Sequence, residues 1–284
     1  MYFVGLDLAW GENKQTGVAA VDAGGRLMHV GIAQDDASIV DAVGPYTGDN
    51  CVVAFDAPLI VNNPTGFRPA ETACNRDFQK FDAGAHPANT SNPLFNPPRG
   101  AVLAAAMGLD MDPGSNANRR AIEVYPNPAI VVLFGLEKTL KYKKGSFDER
   151  QRELLKLMTL IEGLDNATPR LRANRSVAWV ELRRRVEAAS KQSQLDRDED
   201  AVDAVIAAYV ASYWYHRPED VTIYGDVETG YIVTPSMPTG LAPERPERPE
   251  RRGSRSSLES RLIRAMELLD DAQKELVAIR EALR

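Results

Sequence analysis

Apolar residues dominate positions 2–9 and 16–22 and recur over 26–33, with Gly11 and Gly17 bracketing the first break and Ala23-Gly24-Gly25 marking the second. Short apolar runs separated by turn formers predict a three-strand meander. Residues 36–43 read as a short helix. Cys51-Val-Val-Ala-Phe55 is apolar without interruption and stops at Asp56-Ala-Pro58, as expected of a strand buried on both faces. Strands, a helix and then a parallel-type buried strand imply a mixed α/β sheet flanked by helices.

Residues 59–120 break this rhythm. They are rich in Pro, Asn, Gly and Ser, with helical stretches expected near 69–80 and 100–108. So long an insertion beside a strand end is usually functional or mobile. A strand returns at 121–126, and helices are predicted near 127–135, 147–163 and 177–190. The strongest helical pattern covers 198–215, where Asp198-Glu-Asp200 would form an acidic first turn suited to the helix dipole. Short strands at 221–224 and 231–234 end a domain spanning 1–235.

The segment 236–257 repeats Pro-Glu-Arg from Pro243 to Arg251 and continues with Gly and Ser. It reads as an extended linker, because such a composition buries no core. Beyond it, Leu258, Leu262, Ala265, Leu269, Ala272, Leu276, Ile279 and Leu283 alternate spacings of four and three. That heptad seam predicts an amphipathic helix over 258–284, a coiled coil that would join copies of the chain into a homo-oligomer. A helix docked on its own globular domain is the alternative.

Net charge is −6, which by itself argues mildly against nucleic acid, but its distribution changes the picture. Residues 138–191 carry 14 Lys+Arg against 7 Asp+Glu, a local balance of +7 that leaves about −13 on the rest. A basic face beside an acidic site suits a polyanionic substrate; two solvated, arginine-rich helices would look the same. Two cysteines provide neither a disulfide framework nor zinc spacing, and no run is long enough to span a membrane. The N-terminal run lacks the features of a signal peptide. A reducing cytoplasm is the expected compartment.

Acidic residues stand where acids are scarce. Asp7 is near the end of the first strand, Asp56 ends the buried one, and Glu123 lies inside a third. Asp200 and Asp203 are three apart and share one helical face. An unpaired buried charge is costly. Converging carboxylates relieve that cost around Mg²⁺ or Mn²⁺, which prefer hard oxygen ligands. Two such ions can activate water and stabilise the leaving oxygen of a phosphodiester. Taken singly, Asp7 and Asp56 could cap turns, Asp200 could complement a dipole, and Glu123 could pair with Arg119 or Arg120. The insertion adds Arg68, Arg76, His86, Asn89 and Arg99, of which Arg68 and Arg76 could bind phosphate bidentately. No Walker loop, Ser/His/Asp order or dinucleotide glycine motif is present.

Gly5-Leu-Asp-Leu-Ala-Trp-Gly11, Ala54-Phe-Asp-Ala-Pro-Leu59, Glu123-Val-Tyr-Pro126, Tyr142-Lys-Lys144 and Asp200-Ala-Val-Asp-Ala204 together resemble the domain-of-unknown-function 429 family, predicted nucleases with an RNase H-like fold. The last segment is also similar to a helix of Holliday-junction resolvases. The resemblance implies an RNase H-like core and a metal-dependent nuclease acting on DNA or RNA. Asp7, Asp56, Asp200 and Asp203 would be its catalytic metal ligands. Glu123, Arg68, Arg76, His86 and Lys143 would lie around them or on the substrate. Two other expectations compete: a non-catalytic scaffold keeping the fold, and, further behind, a small-molecule phosphotransfer enzyme.

Overall fold

A computed structural model describes residues 1–11 and 14–238. The meander forms as β1 (Tyr2–Asp7), β2 (Thr16–Asp22) and β3 (Leu27–Ala33), followed by α1 (Asp36–Thr47) and β4 (Cys51–Phe55). The insertion holds α2 (Pro69–Phe78) and α3 (Arg99–Ala106) and leads into β5 (Arg119–Glu123). Four helices follow: α4 (Pro126–Phe134), α5 (Phe147–Gly163), α6 (Val177–Glu187) and α7 (Gln192–His216). A last hairpin pairs β6 (Val221–Asp226) with β7 (Gly230–Pro235).

Five strands make one mixed sheet in the order β3-β2-β1-β4-β5. β1 runs antiparallel to β2 and parallel to β4, and β5 is parallel to β4. The continuous apolar run of β4 is buried at all five positions, as its central place between β1 and β5 requires. β6 and β7 do not extend this sheet but form a separate two-stranded one. A single bridge, Val124 to Val233, and the Tyr231 hydroxyl donating to the carbonyl of Ala121 tie the hairpin to the β5 side.

Side chains of β1 alternate between two helical layers. Tyr2 meets Tyr46 of α1, with ring centroids 5.4 Å apart, whereas Phe3 meets Tyr215 and His216 of α7. Gly5 and Asp7 therefore share the α7 face. There the helix backbone lies directly on the sheet: a Cβ on Gly5 would collide with the carbonyl oxygen of Ala204, and one on Gly17 with that of Asp200. Gly17 is the cross-strand partner of Asp7, so this close approach brings α7 against the end of β1. The helix is buried without a break from Ala201 to Ser212, as expected when neighbours cover it on all sides.

α7 begins at Gln192, with Lys191 as its N-cap, not at Asp198. Asp198, Glu199 and Asp200 thus lie beyond the first turn, where the dipole effect has decayed. The expected dipole role is corrected, and another reason is needed for acids in a buried helix. Among the described residues no helix is long and apolar enough to cross a membrane. The predicted linker, 236–257, lies outside the described residues beyond residue 238, as does the predicted coiled coil at 258–284.

Candidate active site

Parallel pairing aligns Leu6 with Phe55, and the Asp56 amide donates to the Leu6 carbonyl at 2.8 Å. Asp7 and Asp56 consequently leave the same end of adjacent strands side by side, close enough for the charge of Asp7 to act on the Asp56 carboxyl. From above, α7 contributes Asp203, 1% exposed, and Asp200, whose Oδ2 accepts from Gln15 at 2.9 Å.

Lys143 lies among them. Its Nζ is 2.5 Å from Asp203 Oδ2 and 3.6 Å from Asp7 Oδ2. Neither of these oxygens makes an aligned hydrogen bond, although both are buried. The other oxygen of Asp203 accepts from the Tyr142 hydroxyl at 2.7 Å. Beside this group, Arg150 donates to Glu199 and to Asp196, each at 2.7 Å.

One ammonium does not neutralise so many acids. Burial, together with the nearby charges of Asp203, Asp200 and Glu199, pushes the Asp7 carboxyl up to about 8, against the opposing pull of Lys143. Burial and then Asp7 raise Asp56 well above the carboxylate range. Burial carries Glu199 to about 7 and Asp200 to about 6. Burial also opposes the charge on Lys143, but Asp203 and Asp7 outweigh it and hold the lysine firmly protonated. Carboxyl groups that keep protons near neutrality mark a crowded and desolvated cluster of acids.

The other predicted residues are distributed differently. Glu123 does not pair with Arg119 or Arg120. It accepts two bonds from Arg68, at 2.9 and 2.5 Å, and one from the Leu59 amide at 2.9 Å. Arg68 also binds Glu71 at 2.8 Å and is 1% exposed, so it cannot present a fork to phosphate as expected. Arg99 is likewise engaged, donating to Asp36 and to the carbonyls of Ala9 and Gly11. Arg76 is exposed on α2, and Asn89 donates to the Gly66 carbonyl. His86 is exposed on the rim of two adjoining pockets, one lined by Asp56 and the other by Lys143.

Gln15, Tyr142, Arg150 and Glu199 were not singled out by the sequence. Only Tyr142 left a usable signal, standing next to Lys143 in a motif already noted. The others are ordinary polar residues that become relevant through contacts across long stretches of chain.

Residues 5–229 match the family described as a protein of unknown function (DUF429), and the chain belongs to that family. No curated protein and no solved structure matches it.

Proposed function

We propose that the chain is a divalent-metal-dependent nuclease built on an RNase H-like core, hydrolysing phosphodiester bonds in nucleic acid. The observation that carries the reading is the convergence of Asp7, Asp56, Asp200 and Asp203 on one end of the sheet, with more negative charge than Lys143 balances. The strand order β3-β2-β1-β4-β5, with an antiparallel first half and parallel second half, is in keeping with the fold.

Among the described residues, no three acidic, His or Cys side chains close on a single point as a metal cage. The donor set nevertheless fits an open site. Its ligands are hard oxygens, two of them buried without an aligned hydrogen bond, and Mg²⁺ commonly takes one or two carboxylates while keeping several waters. Asp7, Asp56, Asp200 and Asp203 would hold Mg²⁺ or Mn²⁺, which supplies an activated water and charge neutralisation at the leaving oxygen.

The chain's own groups have defined tasks. Tyr142 and Gln15 hold Asp203 and Asp200 in fixed orientations. Lys143 keeps a positive charge beside the place a phosphate must enter, limiting repulsion between substrate and carboxylates. A non-catalytic scaffold is favoured by one observation: the same ammonium is a built-in counter-ion that lets the fold stand alone. Incubating purified protein with branched, duplex and single-stranded substrates decides between them. Cleavage in Mn²⁺, absent in EDTA and with Asp7→Asn, is expected; no cleavage of any substrate with either metal would leave the scaffold.

A further inference from the structure

Asp56 also lines a cleft whose walls include Trp10, Phe95, His86 and Tyr125. Trp10 is three residues past Asp7 and remains 47% exposed, while Phe95 braces its indole edge to face at 5.3 Å. A large aromatic ring held in place yet open to solvent provides a stacking platform, because every nucleobase has a π-face. His86 also lines a second pocket, together with Lys141, Lys143 and Lys144. Lys141 pairs with Asp82 at 3.2 Å, whereas Lys144 is exposed and has no acidic partner among the described residues. An aromatic cleft, a carboxylate cluster and a lysine pocket are thus contiguous.

We infer that the aromatic cleft beside Trp10 takes one unpaired base of a single-stranded nucleic acid, while the adjoining backbone phosphate passes the carboxylates toward Lys143 and Lys144. The inference rests on the nuclease reading and names its substrate as a strand with an accessible base. A paired base is stacked on both faces and cannot enter such a cleft without being extruded. Lys143 and Lys144 supply the sequence-independent attraction for the backbone.

Binding is measured with the full chain in EDTA, so that no cleavage intervenes. Trp179 and Trp214 are buried at 0% and 6% exposure, so quenching of tryptophan fluorescence reports Trp10 in wild type, and the anisotropy of an end-labelled strand follows binding to every variant. A short single-stranded oligonucleotide is expected to quench it. The same strand in a duplex, an abasic deoxyribose-phosphate oligomer of equal length and a free mononucleotide are expected to quench far less. Trp10→Ala should weaken single-strand binding by at least about fivefold, the low end of one base–aromatic stack. Trp10→Phe should retain most of it, and Lys144→Ala should weaken the normal and abasic strands alike. The inference is overturned if Trp10→Ala binds as wild type does, if the abasic oligomer or the mononucleotide binds equally well, or if no strand binds. Strand binding that depends on Trp10, without cleavage in Mn²⁺, would instead remove the nuclease reading and keep the base site.

Discussion

Asp7 holds a proton in the folded chain up to about pH 8, whereas an unfolded chain releases it near the ordinary value of 3.8. The folded state therefore binds more protons between those values. The stability this confers is complete below about pH 4 and is lost as pH rises toward 8. Asp200 and Glu199, raised to about 6 and about 7, act in the same direction. Asp7→Asn is neutral throughout and shares neither the repulsion nor its pH dependence. In EDTA its melting temperature should come closest to that of wild type below about pH 4 and exceed it increasingly toward pH 8, where the gap is at least about 2–4 °C, the shift expected of 1 kcal/mol at this size. Millimolar Mn²⁺ should raise wild type more than the mutant through linkage. Parallel melting profiles with and without metal would mean that Asp7 merely caps a turn.

Arg68 carries the opposite risk, since its loss leaves Glu123 and Glu71 buried without their cation. Arg68→Met should cost about 3–5 kcal/mol in chemical denaturation. Adding Glu123→Gln should recover part of that cost, because one uncompensated charge is removed. Acids that end strands, such as Asp7 and Asp56, could be recognised from local pattern, since carboxylates are unusual beside continuous apolar runs. The partnership of Arg68 with Glu123 could not, because the two are separated by 55 positions in the chain and neither spacing nor composition encodes who meets whom across an insertion.

α7 owes its place to what β1 and β2 lack. Gly5 and Gly17 admit its backbone where any Cβ would strike a carbonyl oxygen. Gly17→Ala must displace the helix or the strand, and backbone yields less readily than a side-chain tip. A loss of at least about 1–3 kcal/mol is expected, together with loss of Mn²⁺-dependent cleavage, because Asp200 and Asp203 move with the helix. A variant of wild-type stability and activity would show that the helix position is not set by this contact. The helix itself was legible from its apolar face over 198–215. Its start at Gln192 was not, because the added turns are polar and exposed over much of their length, leaving no periodic signal.

For the molecule as a whole, the sequence predicts a coiled coil at 258–284 joined through an extended segment, and such a segment would transmit little packing energy. Removing residues 253–284 should lower the mass measured by light scattering while leaving the melting of the α/β unit unchanged. An unchanged mass would remove the oligomerisation role. The hairpin of β6 and β7 was foreseen as two strands, yet not as a separate sheet. Strand pairing depends on which edges remain open after β5 and the insertion are in place, and that is a property of the assembled fold.

The alternation and length of apolar runs determined the meander, the buried β4 and the succession of helices, because burial of one face or two is a local requirement written at every second or fourth position. Position in predicted strands and on one helical face nominated Asp7, Asp56, Glu123, Asp200 and Asp203, and the family resemblance narrowed these to the four aspartates. Tertiary structure decided the rest: that Lys143 and Tyr142 join those acids, that Glu123 belongs with Arg68, and that Trp10 overlooks Asp56. Those pairings depend on chain segments far apart in sequence meeting at one sheet end, and on the charge balance that results once water is excluded.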